Sequence, residues 1–490
     1  MNVRKLTGLA LAALIAAVVV ACGPTWSGGS SLTPTIRGPL VTLNWTAATP
    51  GDGKTVTDYR IHVDGVEVAT IAAPATTCVL TGLAPSTTHV VKVTAYDNEG
   101  YWSGSWEDEY EEMGRVQASV VTTAAMSRSG ATRTCVASTD SDSDGLPNAV
   151  ENGGGTYVSA AVTGTNSNDA DSDDDGIKDG DEVLGSAAGL DLFGMGTRPG
   201  KRDILLEFDW FDDNLDSGTC GPHSHRPSAA AITTLTNSFA AASGTNPDGS
   251  TGINLIADRG QGGLFTGGTV VADADGVIAG GVDGADYLGY KAANFSPLRE
   301  GYFHYVLNPH RYNTTSGSSG QAEIQGDDLI VSLQCYLSDS NVSNTIMHEL
   351  GHNLNLRHGG FENTNYKPNY NSIMNYRFQF PGVDTNCDGT GNGVLDYSRG
   401  TNASLNENAL IETNGICNGV DKDWNANAII DAAAVAAHIN IDYDSVLTVL
   451  NDWNDWANLN LAAVNDGDGA PLEPTEIVTE ASVEELLGEG

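Results

Sequence analysis

The stretch His348–Gly360, HELGHNLNLRHGG, constrains the fold more than any other. His348 and His352 are four residues apart, so a helix carries both imidazoles on one face. Ile346, Leu350 and Leu354 form an apolar stripe at the same spacing, and Ser343 is a candidate cap; together they predict a helix over 342–355. Two imidazole nitrogens on one face can meet one Zn2+ at about 2.0–2.1 Å each. His358 can join them only if the helix stops and the chain turns. Three protein ligands leave one position open, the arrangement of a catalytic zinc. Glu349, beside the first histidine, can then reach a water whose pKa the ion lowers. It can take that proton as the water attacks a carbonyl, and pass it to the leaving amine. Asn355 stands where the helix must end in a left-handed residue; after glycine, asparagine tolerates that conformation best.

The region from 198 to 465 reads as one α+β domain around this helix. RDILLEFDW, GINLIAD, YFHYVLN and DDLIVSL are strand-like runs. RPSAAAITTLTNSFAAAS is a helix with Pro227 near its start and Ile232, Leu235 and Phe239 on one stripe. The order predicts a mixed sheet with helices packed on it. Further helices are expected near 404–412, 431–440 and 443–460, and an acidic, disordered tail over 466–490. His223, His225, His304 and His310 read as structural or surface histidines.

With Asn355 in the glycine position, the motif resembles the His-Glu-x-x-His-x-x-Gly-x-x-His of the metzincin zinc proteases. NSIMNYRFQF is similar to the methionine turn of that family, with Met374 beneath the metal. Tyr376, two residues on, resembles the tyrosine that in some branches moves between metal and oxyanion. The resemblance implies a zinc endopeptidase with His348, His352 and His358 as ligands, Glu349 as base and a protein or peptide substrate. A zinc amidase acting on cell-wall amides, or a non-catalytic calcium-dependent adhesion or scaffold protein on the same fold, are the alternatives.

Upstream, VTLNW, DYRIHVDG, VEVATI, TCVLTGL, HVVKVTAYD and VQASVVTT alternate apolar and polar residues between turns, the pattern of a β-sandwich. LAPSTTHVVKVTAYDNEG, with Trp45 and Tyr59, resembles a fibronectin type III domain over 36–125, with His89 at a tyrosine position. Such a domain implies spacing, or protein or carbohydrate contact. Residues 136–186 are an acidic linker with two twelve-residue loops. Asp140, Asp142, Asp144, Asn148 and Glu151 fall at positions 1, 3, 5, 9 and 12 of the first, and Asp171, Asp173, Asp175, Asp179 and Glu182 of the second. Oxygen ligands so spaced, with glycine at position 6, converge on Ca2+; the loops resemble thrombospondin type 3 repeats. DTNCDGTGNG and DWNANAIID are partial versions.

The formal net charge of −40, from 63 acidic against 23 basic residues, argues against nucleic acid and anionic membrane as partners. Residues 1–21 read as a signal peptide, and Cys22 after Val-Val-Ala resembles a lipobox cysteine. An exported bacterial lipoprotein is expected, at the outer membrane or cell surface or released from it, touching membrane only through its lipid and followed by a flexible tether over 22–35. The other six cysteines suggest disulfides, with Cys387–Cys417 and Cys220–Cys335 the favoured pairs.

Overall fold

The computed structural model describes residues 23–103, 115–212, 220–273, 276–313, 315–417, 419–440, 446–464 and 476–487. The expected signal segment and Cys22 lie outside the described residues. The chain divides into two compact units. One runs to Ser172 and includes Lys178–Phe193 and Arg198–Gly200; the other holds Asp173–Ile177, Gly194–Thr197 and the residues from Lys201 onward.

The first unit is built on a β-sandwich. β1 (Leu32–Arg37), β2 (Leu40–Trp45), β5 (Thr77–Thr81) and β8 (Thr134–Val136) form one sheet. β3 (Val56–Val63), β4 (Val66–Ala72), β6 (Thr88–Asp97) and β7 (Val116–Val121) form the other, in the order β4-β3-β6-β7. The period-two alternation puts Val41, Leu43, Ile61, Val63, Val91 and Val93 in the shared core. Trp45 packs edge-on against Tyr59, whose hydroxyl accepts from Ala48 N at 3.1 Å. His89 is buried, with Nδ1 2.8 Å from Asp64 Oδ2. β8 was not legible in the sequence; Cys135 on it is bonded to Cys78 on β5, 57 residues earlier.

Two expectations for this unit need correction. The segment expected to be a flexible tether is held on the sandwich: Trp26 is buried and its Nε1 donates to Thr46 O at 2.7 Å. An indole with a satisfied N–H is a large apolar anchor. Nor do the acidic residues stand apart as a linker. Leu146, Val150, Val183 and Leu184 share a core cluster with Leu40 and Val79 of the sandwich. α1 (Asp179–Leu184) contributes two of these.

In the second unit β9 (Asp203–Phe211), β10 (Asn254–Asp258), β11 (Val270–Val271), β12 (Phe303–Asn308), β13 (Gly320–Ile324) and β14 (Asp328–Val331) form a mixed sheet. The order is β10-β9-β12-β14-β13, with β11 paired to the end of β9. β9, β10, β12 and β14 are parallel, and β13 is antiparallel to β14. α2 (Ala229–Ala240), capped by Ser228, and α4 (Asp339–Asn353) pack on the sheet. α3 (Ala285–Asn294) lies between β11 and β12 in the chain. Both disulfides favoured by the sequence are present, Cys220–Cys335 and Cys387–Cys417.

The lower half of this unit differs from expectation. Described residues of 404–412, 431–440 and 446–460 carry no helix; they hold turns and the two-stranded pair β15 (Leu405–Asn406) and β16 (Val449–Leu450). The expected cap Ser343 is inside α4, and Ser338 caps it instead, accepting from Asn341 N. The tail also departs from the disordered expectation: β17 (Glu476–Thr479) extends the sheet beside β13, and α5 (Val483–Leu487) buries Val483 and Leu486 in the main core. Val483 and Leu486, buried in the core, outweigh the acidic composition there.

Candidate metal centre

α4 is buried on nearly every side from Val342 onward, so its histidines face protein rather than solvent. The helix stops where the motif requires. Asn355 has φ +74°, Asn355 N donates to His352 O at 2.9 Å, and Leu356 N donates to Gly351 O at 2.8 Å. This pair of bonds is the Schellman closure, with asparagine in the left-handed position. The chain then doubles back, and Lys367 Nζ holds Gly359 O at 2.8 Å and Asn451 O at 2.7 Å just beyond His358.

The three histidines converge, with ring centroids 4.9–5.4 Å apart. His348 Nδ1 lies 2.8 Å from Ile373 O, and His352 Nδ1 lies 2.8 Å from Leu356 O. A carbonyl can only accept, so each Nδ1 carries the proton and each Nε2 faces the centre. Ile373 directly precedes Met374 in the chain. Its position is set by Asp455, which accepts from Ser372 Oγ at 2.6 Å, Tyr370 Oη at 2.9 Å and Ser398 N at 3.0 Å. Met374 is buried under α4 at Gly351, where an added Cβ would meet its sulfur at 2.3 Å. Tyr376 lies over the His358 ring at 4.4 Å between centroids.

All three Nε2 atoms point at one carboxylate, that of Glu480. The distances are 2.9 Å from His348, 3.1 Å from His352 and 3.0 Å from His358. The sequence reading missed this residue because it sits in the acidic tail; the β-branched run Ile477, Val478, Thr479 before it was the available signal for a strand. β17 delivers it. Gln321 to Ile324 pair antiparallel with Glu476 to Thr479, Glu480 N donates to Gly320 O at 3.1 Å, and Ala481 N donates to Tyr376 Oη at 3.2 Å. The tail thus lies along the β13 edge as an added strand, the mode in which peptides bind an exposed sheet edge.

Glu349 is fully buried and neither carboxylate oxygen has a hydrogen-bond partner. Burial, then the charge of Glu480, pushes its pKa well up. Gly320 gives it room: a Cβ there would stand 2.2 Å from Glu349 Oε1. Burial tends to raise Glu480 as well, but His358 and His348 outweigh it and hold the carboxyl well below its usual range. Burial depresses His352 to about 4. Three imidazole Nε2 atoms and a carboxylate around one point, with an unsatisfied buried carboxyl alongside, are the donor set a divalent zinc takes; the residues fit that ion.

The two acidic loops are also formed. Asp140, Asp142 and Asp144 bring one oxygen each within 4.8 Å of one another. Asp144, Glu151 and Asp179 form a second such group, so position 9 of the second loop joins positions 5 and 12 of the first. Both Asp142 oxygens, Asp144 Oδ2 and Glu151 Oε2 are buried without hydrogen-bond partners. Burial raises Asp144 and Glu151 to about 7 and Asp179 to about 8. Asn148 turns instead to its own loop, bonding Ser141 N at 2.9 Å and Ser141 Oγ at 2.7 Å; Asp179 holds Ser172 in the same way. Gly145 has φ +102° and Gly176 φ +93°, the sharp turns expected at position 6. Asp173, Asp175 and Glu182 are buried, Asp175 accepting from Asp203 N at 2.7 Å; Asp171 is partly buried. In the partial loops, Asp384 and Asp423 spend their oxygens on loop N–H groups.

No curated protein matches this chain. Among solved structures, the Clostridium perfringens spore cortex lytic enzyme SleM matches at 20% identity and TM-score 0.16, over 20% of this chain and 29% of that one. The chain therefore spans under a third of that protein. A central fibronectin-III array of RIM-binding protein matches at 17% identity and TM-score 0.15, over 19% of this chain and 37% of the other. The sixth fibronectin type III domain of human fibronectin type III domain containing protein 3 matches at 24% identity and TM-score 0.14, over 20% of this chain and 90% of that one. The fibronectin type III family itself matches residues 31–109, which with the two four-stranded sheets makes the N-terminal sandwich a fibronectin type III domain.

Proposed function

We propose that the chain is a zinc-dependent endopeptidase of metzincin type, exported as a lipoprotein, stiffened by calcium and held latent by its own C-terminal strand. One observation carries this reading: three Nε2 atoms converge on a single carboxylate, with Glu349 buried and unpartnered beside them. His348, His352 and His358 would hold the zinc, which when bound supplies Lewis acidity. A substrate backbone would take the place of β17 on the β13 edge, its amide groups pairing as those of residues 476–480 now do. Glu349 would take the proton of the attacking water and hand it to the departing amine. Tyr376 Oη, now bonded by Ala481 N, would steady the carbonyl oxygen as charge develops on it. With the tail in place, Glu480 would help the three histidines hold the zinc and β17 would occupy the β13 edge that a substrate needs, so catalysis would require their release.

Glu480 also favours a second reading: a closed site of three histidines and a carboxylate that is purely structural. A casein digest separates the two. Under the peptidase reading, zinc-supplied protein carrying Glu480→Ala with Val483→Ala and Leu486→Ala, which frees both the carboxylate and β17, gains cleavage over the parent and a zinc chelator abolishes it. The same protein, folded, zinc-loaded and with its tail shown to be free, supports the closed structural site if it cleaves nothing.

A further inference from the structure

The second unit holds another group of three histidines that the metal centre does not use. His223 and His225 lie in the CGPHSH segment, and His310 follows β12. Their ring centroids are 4.7, 5.3 and 5.4 Å apart, almost the spacing of His348, His352 and His358. We propose that His223, His225 and His310 form a second transition-metal site, structural in role, that takes Zn2+ or an ion of similar preference through imidazole nitrogen.

Three features support it. His310 Nδ1 and His225 Nε2 are 3.3 Å apart. Nitrogens bound at about 2.0–2.1 Å to one tetrahedral ion stand roughly 3.3 Å apart, so this pair already has the edge length of a zinc site. His223 Nδ1 lies 2.7 Å from Gly221 O and must donate to it, which leaves Nε2 as its ligand atom, as at the first centre. The main chain around the group is anchored. His225 N donates to Phe211 O at 3.0 Å, its carbonyl accepts from Asn308 Nδ2 at 3.2 Å, and His310 O accepts from Gln334 N at 3.1 Å. His225 and His310 are buried. Cys220 brings its sulfur within ligand range of His223 and His310, but that sulfur is bonded to Cys335 and serves as a clamp. An ion here ties the 220–225 segment to the ends of the adjacent strands β9 and β12.

The test uses the full chain carrying His348→Ala and His352→Ala, which removes ligands of the first centre. Transition metals are stripped with a zinc-selective chelator while calcium is kept in excess, and Co2+ is added back. We expect about one bound Co2+ per chain by mass spectrometry of the metal content, with visible absorption of tetrahedral intensity. Adding His310→Ala, or separately His223→Ala in the half-buried segment, should abolish both signals. Circular dichroism and an intact Cys220–Cys335 bond check the fold. No Co2+ retained by the His348→Ala/His352→Ala chain, or binding unchanged by both further variants, would overturn the proposal and leave only a histidine hydrogen bond. Neither outcome bears on the peptidase reading.

Discussion

The latent state is the most exposed part of the account, because two side chains remote from the chemistry anchor it. Val483 and Leu486 sit in the main core and fix α5, so that β17 and Glu480 stay in the groove. Val483→Ala removes two buried methyl equivalents and Leu486→Ala three. With partial relaxation the pair costs about 4 kcal/mol. That cost falls on docking of the tail, since both side chains belong to α5 and tie it to the core. At about 1.4 kcal/mol per tenfold, the released fraction rises roughly a thousandfold. If release limits turnover, cleavage of a quenched fluorescent peptide in zinc and calcium should rise by a comparable factor, up to the point where the tail is mostly free. Limited proteolysis of residues 476–487 reports release independently. A double variant whose tail is shown to be free, with zinc bound and no gain in cleavage, would refute the latch.

Other expectations follow from particular residues. Stripping calcium should lower the melting temperature of the first unit: an ion present at about 100 times its Kd contributes roughly 2.7 kcal/mol, a shift of about 5–10 °C for a unit of this size, and Asp144→Asn should shrink that shift. Asn355→Gly should raise stability in a denaturant titration by up to about 1 kcal/mol, and Asn355→Val should lower it by about 1–2 kcal/mol, because φ is +74° there. Burial pushes His304 down to about 4. Its folded pKa is below the unfolded value of about 6.5, so its contribution is full above that value and is lost as pH falls through 4. The whole linkage is worth roughly 3 kcal/mol. His304→Gln, which can still bond Asn353, should therefore lose less stability than the parent between neutral pH and pH 4, by chemical denaturation.

Much of this was legible because local chemistry and packing agree. The i, i+4 histidines, the stripe behind them and an asparagine able to turn left-handed all specify one helix and one stop. The twelve-residue loops carry their own glycine turns. What was not legible depended on partners distant in sequence. β13 is short and opens on Gly320, which must clear the Glu349 carboxylate from another element. The helices expected after 404 were apolar runs whose backbone is instead taken up by turns and by buried acceptors such as Glu412, which accepts from Trp424 N and Asp431 N. The tail looked solvated by composition, yet Glu480 lies 122 to 132 residues beyond the histidines it meets. No local pattern encodes such a contact.

The most direct measurement is the rate of cleavage of one defined peptide by the Val483→Ala/Leu486→Ala chain and by the same chain carrying Glu349→Gln, at equal zinc content. The account predicts hydrolysis by the first and a loss of at least about a hundredfold in the second, the scale of a lost general base. Equal rates with and without Glu349 would contradict it.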